Sequence, residues 1–150
     1  MSRQAMEMAI SEVPGKNARV LQNTRSYLLE VADRLQDDIL GILQASASYM
    51  SYMCLVVTPT RIIGVGQEGS VEVWHYKDVT KVTIVGGKKK LLGGHDYSFF
   101  MINLPDGSSL TFQLFGDHEY THRVGLRAED AHRKAQIARL LSIRPAVRAG

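Results

Sequence analysis

A chain of 150 residues, 45% apolar and 22% charged, has the size and composition of one globular domain, alone or with a helical extension, which argues against disorder of the whole chain and against a miniprotein that needs staples. A net charge of +3 and a pI near 9.1 permit an anionic partner, but they fall short of the concentrated basic face that makes a nucleic-acid binder. No run approaches about 18 uninterrupted apolar residues, which excludes a spanning helix, and the single cysteine, Cys54, cannot form an internal disulfide and gives no sign of an oxidising compartment, so the cytoplasm is the expected location.

Residues 1–14 carry Glu7 and Glu12 and have no long apolar core, so they do not read as a signal peptide. Residues 2–12 form a short helix that Pro14-Gly15 ends. A second helix is expected over 18–35. Val20, Thr24, Tyr27, Leu28, Val31 and Leu35 make one stripe, with Asn17 as N-cap. That stripe needs a surface to cover, so homo-oligomerisation through the N-terminal helices is one expectation.

From Ile39 the pattern changes to short segments rich in Val, Ile, Thr, Tyr and Phe. Seven strands are expected at 39–46, 50–57, 61–66, 70–76, 79–85, 97–104 and 109–115. Val71, Val73 and His75 alternate with Glu72, Trp74 and Tyr76, and Val82 and Ile84 alternate with Lys81, Thr83 and Val85. Cys54 sits in the run Tyr52 to Val57 and reads as a small buried hydrophobe. Gln67-Glu68-Gly69 and Pro105-Asp106-Gly107 are hairpin turns in which glycine supplies a positive φ, and Ser46-Ala47-Ser48 is a weaker one. Successive hairpins make an antiparallel meander.

The final helix is expected over 126–142, with Ala128, Ala131, Ala135, Ala138 and Leu141 as its apolar face, flanked by Ile137 and Leu140. Pro145 should prevent its extension and leave 144–150 frayed. The fold class is therefore α+β: an N-terminal helical extension over 1–36, then an antiparallel seven-stranded barrel or sandwich capped by a C-terminal helix over 37–143. Seven twisted strands curl into a barrel or fold into two layers, and a helix rich in alanine is a close-fitting cover for the open end.

Two segments carry a family resemblance. Leu55-Val56-Val57-Thr58-Pro59-Thr60-Arg61-Ile62-Ile63 is a strand ending in a Thr-x-x-Arg turn into the next apolar strand. Tyr76-Lys77-Asp78-Val79-Thr80-Lys81-Val82 has the form aromatic-x-Asp-Val/Ile-Thr-x-Val. With two further strands from Tyr97 to Phe115 and the helix from Leu126 to Leu141, residues 27–142 resemble bacterial pleckstrin-homology-like (PH-like) domains of the YokE type. Pro59 and a Gly-Gly-Lys-Lys-Lys-Leu-Leu-Gly-Gly insertion depart from that pattern. The resemblance implies binding rather than catalysis, no cofactor, and a protein or an anionic lipid headgroup as ligand.

The insertion, Gly86 to His95, is the most unusual stretch. Lys88, Lys89 and Lys90 between paired glycines suit a phosphate or an anionic headgroup, with Leu91 and Leu92 beside them to dip into a lipid interface. The bland alternative is a solubilising hairpin tip. The order of a P-loop is absent. Arg61, Lys77 and Lys81 complete the candidate anion or partner contacts.

His118-Glu119-Tyr120-Thr121-His122 matches His-Glu-x-x-His literally, with His132 as a candidate third ligand. It supports an alternative reading, a metal-dependent hydrolase, although its setting is a polar connection after a meander and no catalytic residue is assigned. Trp74, Tyr76, Phe99, Phe100, Phe112 and Phe115 are spread over strands. They read as barrel core before they read as a base-stacking platform, so weak nucleic-acid binding is the remaining alternative.

Overall fold

The computed structural model describes residues 2–15, 19–48, 50–86, 91–93 and 97–149. Two helices, α1 (Ser2–Glu12) and α2 (Arg19–Ala32), precede strands β1 (Gly41–Ala47), β2 (Met50–Val57), β3 (Arg61–Gly66) and β4 (Val71–His75). A 3-10 turn, Tyr76–Asp78, leads to β5 (Lys81–Gly86), β6 (Ser98–Asn103) and β7 (Ser109–Phe115), and then to α3 (His118–Ala149). The strands match the expected ones within about two residues at each end. Asn17 lies outside the described residues.

All seven strands belong to one antiparallel sheet in the order β4-β3-β2-β1-β7-β6-β5. Two meanders, β1 to β4 and β5 to β7, are joined where β1 pairs with β7. β4 and β5 are thus the outermost strands, yet only residues 76–80 connect them. Five residues reach so short a distance that the sheet must curl until its two edges meet at that corner. This is why the chain leaves strand geometry earlier than its alternation suggests. Tyr76, expected to end a strand, opens the 3-10 turn, is fully buried, and donates its hydroxyl to the Thr58 carbonyl at 2.9 Å.

The core has two layers. Inside the barrel lie Phe100, Ile102, Phe112, Ile62, Met53 and Leu55, all fully buried. Trp74 points the same way: it meets Phe112 edge-on at 5.6 Å, and a Cβ on Gly64 would stand 3.1 Å from its ring. On the outer face α2 covers β2 and β3, with Leu28 and Ala32 fully buried and the Thr24 hydroxyl 3.0 Å from the Cys54 sulfur. β2 is therefore buried on both faces, which explains a continuous apolar run where a half-buried strand would alternate. Val20, Thr24, Leu28 and Leu35 of the expected stripe are covered within the molecule, while Tyr27 and Val31 are only partly covered. Burial pushes the Cys54 thiol up to about 11, against a weaker opposing hydrogen bond with Thr24, so the thiolate is suppressed at neutral pH.

α3 differs from its expected form at both ends. It starts eight residues early because the Asp117 carboxylate accepts the Tyr120 backbone N–H at 2.9 Å, a full N-cap, with Glu119 favourable in the first turn. It also runs on to Ala149 through Pro145. A proline removes one ladder bond, to the carbonyl four residues back, and here the helix continues beyond that loss.

Its face is also different. Ala128, Ala131 and Ala135 do turn inward, together with Tyr120, Thr121, Val124 and His132. Ala138 and Leu141 do not. At about 100° per residue, thirteen residues from Ala128 rotate Leu141 by about 220° beyond whole turns. Ile137, Leu140 and Leu141 consequently stand 50%, 68% and 57% exposed on the far side.

The helix closes the barrel by joining its middle to its corner. Tyr120 both donates to the Ile42 carbonyl (2.9 Å) and accepts the Ile42 N–H (3.3 Å) on β1. At the corner, Gln136 donates to Tyr76 O at 3.0 Å. Between them Gly125 lets α3 touch β5, since a Cβ there would stand 2.9 Å from Ile84 Cβ and closer still to its tip. Gly125→Val is therefore expected to destabilise by about 1–3 kcal/mol through overpacking, despite the roughly 0.5 kcal/mol that leaving glycine gains in a helix. Urea unfolding measures it, and an unchanged midpoint would refute the close contact.

Candidate binding groove beside the open sheet edge

The two edges of the sheet have different fates. β5 runs beside α3, and the Glu129 carboxylate accepts the Ile84 N–H from its outer side at 3.2 Å. The edge is capped there by a side chain. β4 has no such cover. Gly66 N–H donates to Ser70 O at 2.8 Å and Tyr76 N–H to Thr60 O at 3.0 Å. In an antiparallel ladder the bonded pairs alternate. With Gly64 facing Glu72 and Ile62 facing Trp74, the groups turned to β3 belong to Glu72 and Trp74. Those of Val71 and Val73 point away from the sheet, and among the described residues no hydrogen bond to them is seen, whereas His75 already caps the 3-10 turn that follows.

The side chains of Val71 and Val73 are on the outer face, 49% and 43% exposed. They floor a groove of about 770 Å³ whose other wall is α2 and the residues just after it. Tyr27, Val31 and Leu35 supply apolar surface there, Ile63 extends the floor, and Glu30, Asp33, Arg34 and Arg61 rim it. Gly69, in the β3–β4 turn at φ 88°, lies against Tyr27, whose ring would be 2.8 Å from a Cβ at that position. A side chain at 69 would both strain the turn and push into the groove's end.

At the opposite end a polar cluster fixes the wall. Asp37, in the link from α2 to β1, accepts from the Thr58 hydroxyl (3.1 Å), the Thr60 hydroxyl and the Arg61 Nε (3.2 Å). The Thr58 hydroxyl in turn accepts the N–H groups of Thr60 (3.3 Å) and Arg61 (3.0 Å). One hydroxyl proton serves two acceptors, Asp37 and the Arg61 carbonyl at 2.9 Å. Burial alone would raise the Asp37 carboxyl. Hydrogen bonds from Thr60, Arg61 and Thr58, with the guanidinium charge, outweigh it and hold the group below the usual carboxylate range. The two segments that carry the family resemblance thus meet in one hydrogen-bonded corner, Tyr76 against Thr58 and Thr60.

The basic residues singled out by sequence are not assembled into one ring of free cations. Arg61 is on the groove rim but turned to Asp37, its side chain 28% exposed. Lys77 is exposed in the corner turn, and Lys81 is exposed at the start of β5, on the opposite edge strand. Lys88, Lys89 and Lys90 lie outside the described residues, while Leu91 and Leu92 beside them are fully exposed.

His118 and His122 share the first turns of α3, their rings stacked 5.8 Å apart. His122 Nδ1 is buried without a hydrogen-bond partner among the described residues. His132 does not join them. It sits ten residues and about 15 Å further along the helix, buried, with Nε2 2.8 Å from the Val79 carbonyl and its ring edge-on to Tyr76. Nε2–H donates to that carbonyl, so this histidine is spent on the corner. Among the described residues no group of three or more His, Cys, Asp or Glu is placed to hold a metal ion. The aromatics make no exposed platform either: Tyr76, Phe100 and Phe112 are fully buried, and Trp74, Phe99 and Phe115 half-buried.

No family model and no curated protein matches the chain. Among solved structures it is similar to the C-terminal domain of an unknown protein from Leishmania infantum, at 10% identity and a TM-score of 0.47, over 73% of this chain and 97% of that one. Among the described residues no helix is long and apolar enough to cross a membrane.

The groove residues escaped the sequence reading for a physical reason. Val71 and Val73 alternate correctly for a strand, but alternation does not say which strand is outermost or where a covering helix stops. The one usable signal was that Glu72 and Trp74 offer the intervening face a large aromatic of their own, so the valines need not be the buried set.

Proposed function

We propose that this chain is a non-catalytic, PH-like binding module of the cytoplasm that takes an extended segment of a protein partner along β4. The observation that carries the reading is the open β4 edge, whose main-chain groups at Val71 and Val73 border an apolar groove of about 770 Å³. An added strand would satisfy that row of donors and acceptors, while the alternate side chains of the segment enter the groove between β4 and α2. The rim carries Glu30 and Arg34 of opposite sign, with Asp33 and Arg61 already paired to Arg3 and Asp37, which suits selection among peptide sequences rather than a plain anion. The PH-like part of the reading is supported by the strand order, the closing helix and the corner formed by the Thr58–Arg61 and Tyr76–Val82 segments.

Selection of a random peptide display library on the full chain tests the reading. Enriched peptides should shift the backbone amide resonances of Val71 and Val73, and Val73→Glu should weaken them about tenfold or more, by putting a charge in an apolar floor. Peptides that map elsewhere, or bind the variant equally, would remove the groove as the site.

A further inference from the structure

The outer side of α3 is apolar where the helix leaves the barrel. Its last described bond to the barrel is Arg139 to the Lys77 carbonyl, at 3.1 Å, and the helix continues ten residues further, or about 15 Å. Ile137, Leu140 and Leu141 lie within about 100° of arc on the side opposite Ala128, Ala131 and Ala135, and each is at least half exposed. The three cavities that line α2, β6–β7 and the start of α3 do not include them.

Charge singles out the same segment. Residues 131–150 contain Arg133, Lys134, Arg139, Arg144 and Arg148 and no aspartate or glutamate, a net +5, although Arg133 (2.6 Å) and Lys134 (2.9 Å) are both paired with Asp130 just before them. The remaining 130 residues hold 13 Lys and Arg against 15 Asp and Glu, a net −2. All of the positive excess of the molecule therefore lies in the helix that overhangs it.

We propose that the overhanging end of α3 docks on an anionic lipid surface, with Ile137, Leu140 and Leu141 entering the interface and the net positive charge of the segment drawing it to the headgroups. An amphipathic helix with large aliphatic side chains on one line and cations around them binds in the plane of such a surface. Each cation close to it strengthens binding roughly fivefold at low ionic strength. A second copy of the chain is disfavoured, because pairing would bring two segments of the same net positive charge together. The site is independent of the β4 groove.

Flotation of the full chain with phosphatidylcholine vesicles, with and without phosphatidylserine, tests this. The chain should float with the anionic vesicles only and be released by salt. The double variant Leu140→Glu/Leu141→Glu, whose changes are on solvent-exposed positions, should lose about tenfold or more of the binding while keeping its unfolding midpoint. Arg144→Glu/Arg148→Glu should lower it as well, and Val73→Glu should leave it unchanged. Equal binding to both vesicles, no binding to either, or full retention by the leucine variant would overturn the proposal. So would binding to polyglutamate without binding to vesicles, or a concentration-dependent dimer that the leucine variant abolishes.

Discussion

Phe112→Ala is expected to lower the unfolding free energy by about 3–5 kcal/mol, a large share of the roughly 5–15 kcal/mol that a domain has. Phe112 is fully buried on β7, and its ring meets Trp74 of β4 edge-on at 5.6 Å. In the sheet those strands are separated by β3, β2 and β1. The contact therefore crosses the barrel interior and holds the curl that brings the open edge into place. Truncation removes both the transfer energy of the ring and its packing against Trp74, and a rigid barrel wall collapses only partly into the space. For a chain of this length the melting temperature should fall by about 10 °C. Trp74 is the single tryptophan, so its emission reports the same event and should shift to the red before global unfolding. A double-mutant cycle with Trp74→Leu should give a coupling of about 0.5–1.5 kcal/mol. Simple additivity would mean that the two meanders are held together by something other than this pair.

Asp37→Asn should cost about 2–3 kcal/mol at neutral pH, the value of hydrogen bonds to a charged acceptor in a site where only 17% of the side chain is exposed. The carboxylate receives the hydroxyls of Thr58 and Thr60 and the Arg61 guanidinium, and those groups set the β2–β3 turn against the link from α2. An amide keeps the shape and one acceptor oxygen but loses the charge. The dependence on pH follows from the direction of the shift. The folded-state carboxyl titrates below its ordinary value. Its contribution is therefore complete above the ordinary carboxylate range and is lost as pH falls through the lower, folded value. Urea midpoints of wild type and variant should stay apart from pH 7 down to about pH 4 and converge below it. A gap that persists unchanged well below that range would show that the hydroxyl contacts, and not the charge, fix the turn. Exposed pairs such as Arg3–Asp33, about half exposed on both sides, should show no comparable effect.

Much of the fold was legible in the chain because its strands are short, bounded by turn residues, and patterned at period two. Gly69 and Gly107 each take the positive φ that their hairpins require, at 88° and 89°. The helix α2 showed half of its buried set: Val20, Thr24 and Leu28 are buried as the stripe requires, and so are Leu21, Leu29 and Ala32 beside them. A helix lying on a sheet buries a wider arc than one line. The site was less legible. Arg61 was selected for its charge, and its charge is consumed by Asp37, a residue 24 positions earlier. The His118 and His122 pair was visible as a motif, but only folding places His132 at the Val79 carbonyl and out of their reach.

What the sequence determined by itself was local: where each strand turns, that the chain meanders antiparallel, and that a helix follows the last strand. Those outcomes depend on neighbours a few residues away, through φ preferences and side-chain periodicity. Which strand became the open edge, which face of α3 was left apolar and uncovered, and whether the N-terminal stripe met this molecule or another were decided by the tertiary structure. The reason is geometric. The five-residue corner after β4 forces the sheet to curl, α3 spans from β1 to that corner, and α2 reaches only as far as the outer face of β3. Burial at Val71, Val73, Ile137 and Leu140 depends on where those elements stop, a quantity that no window of the sequence contains.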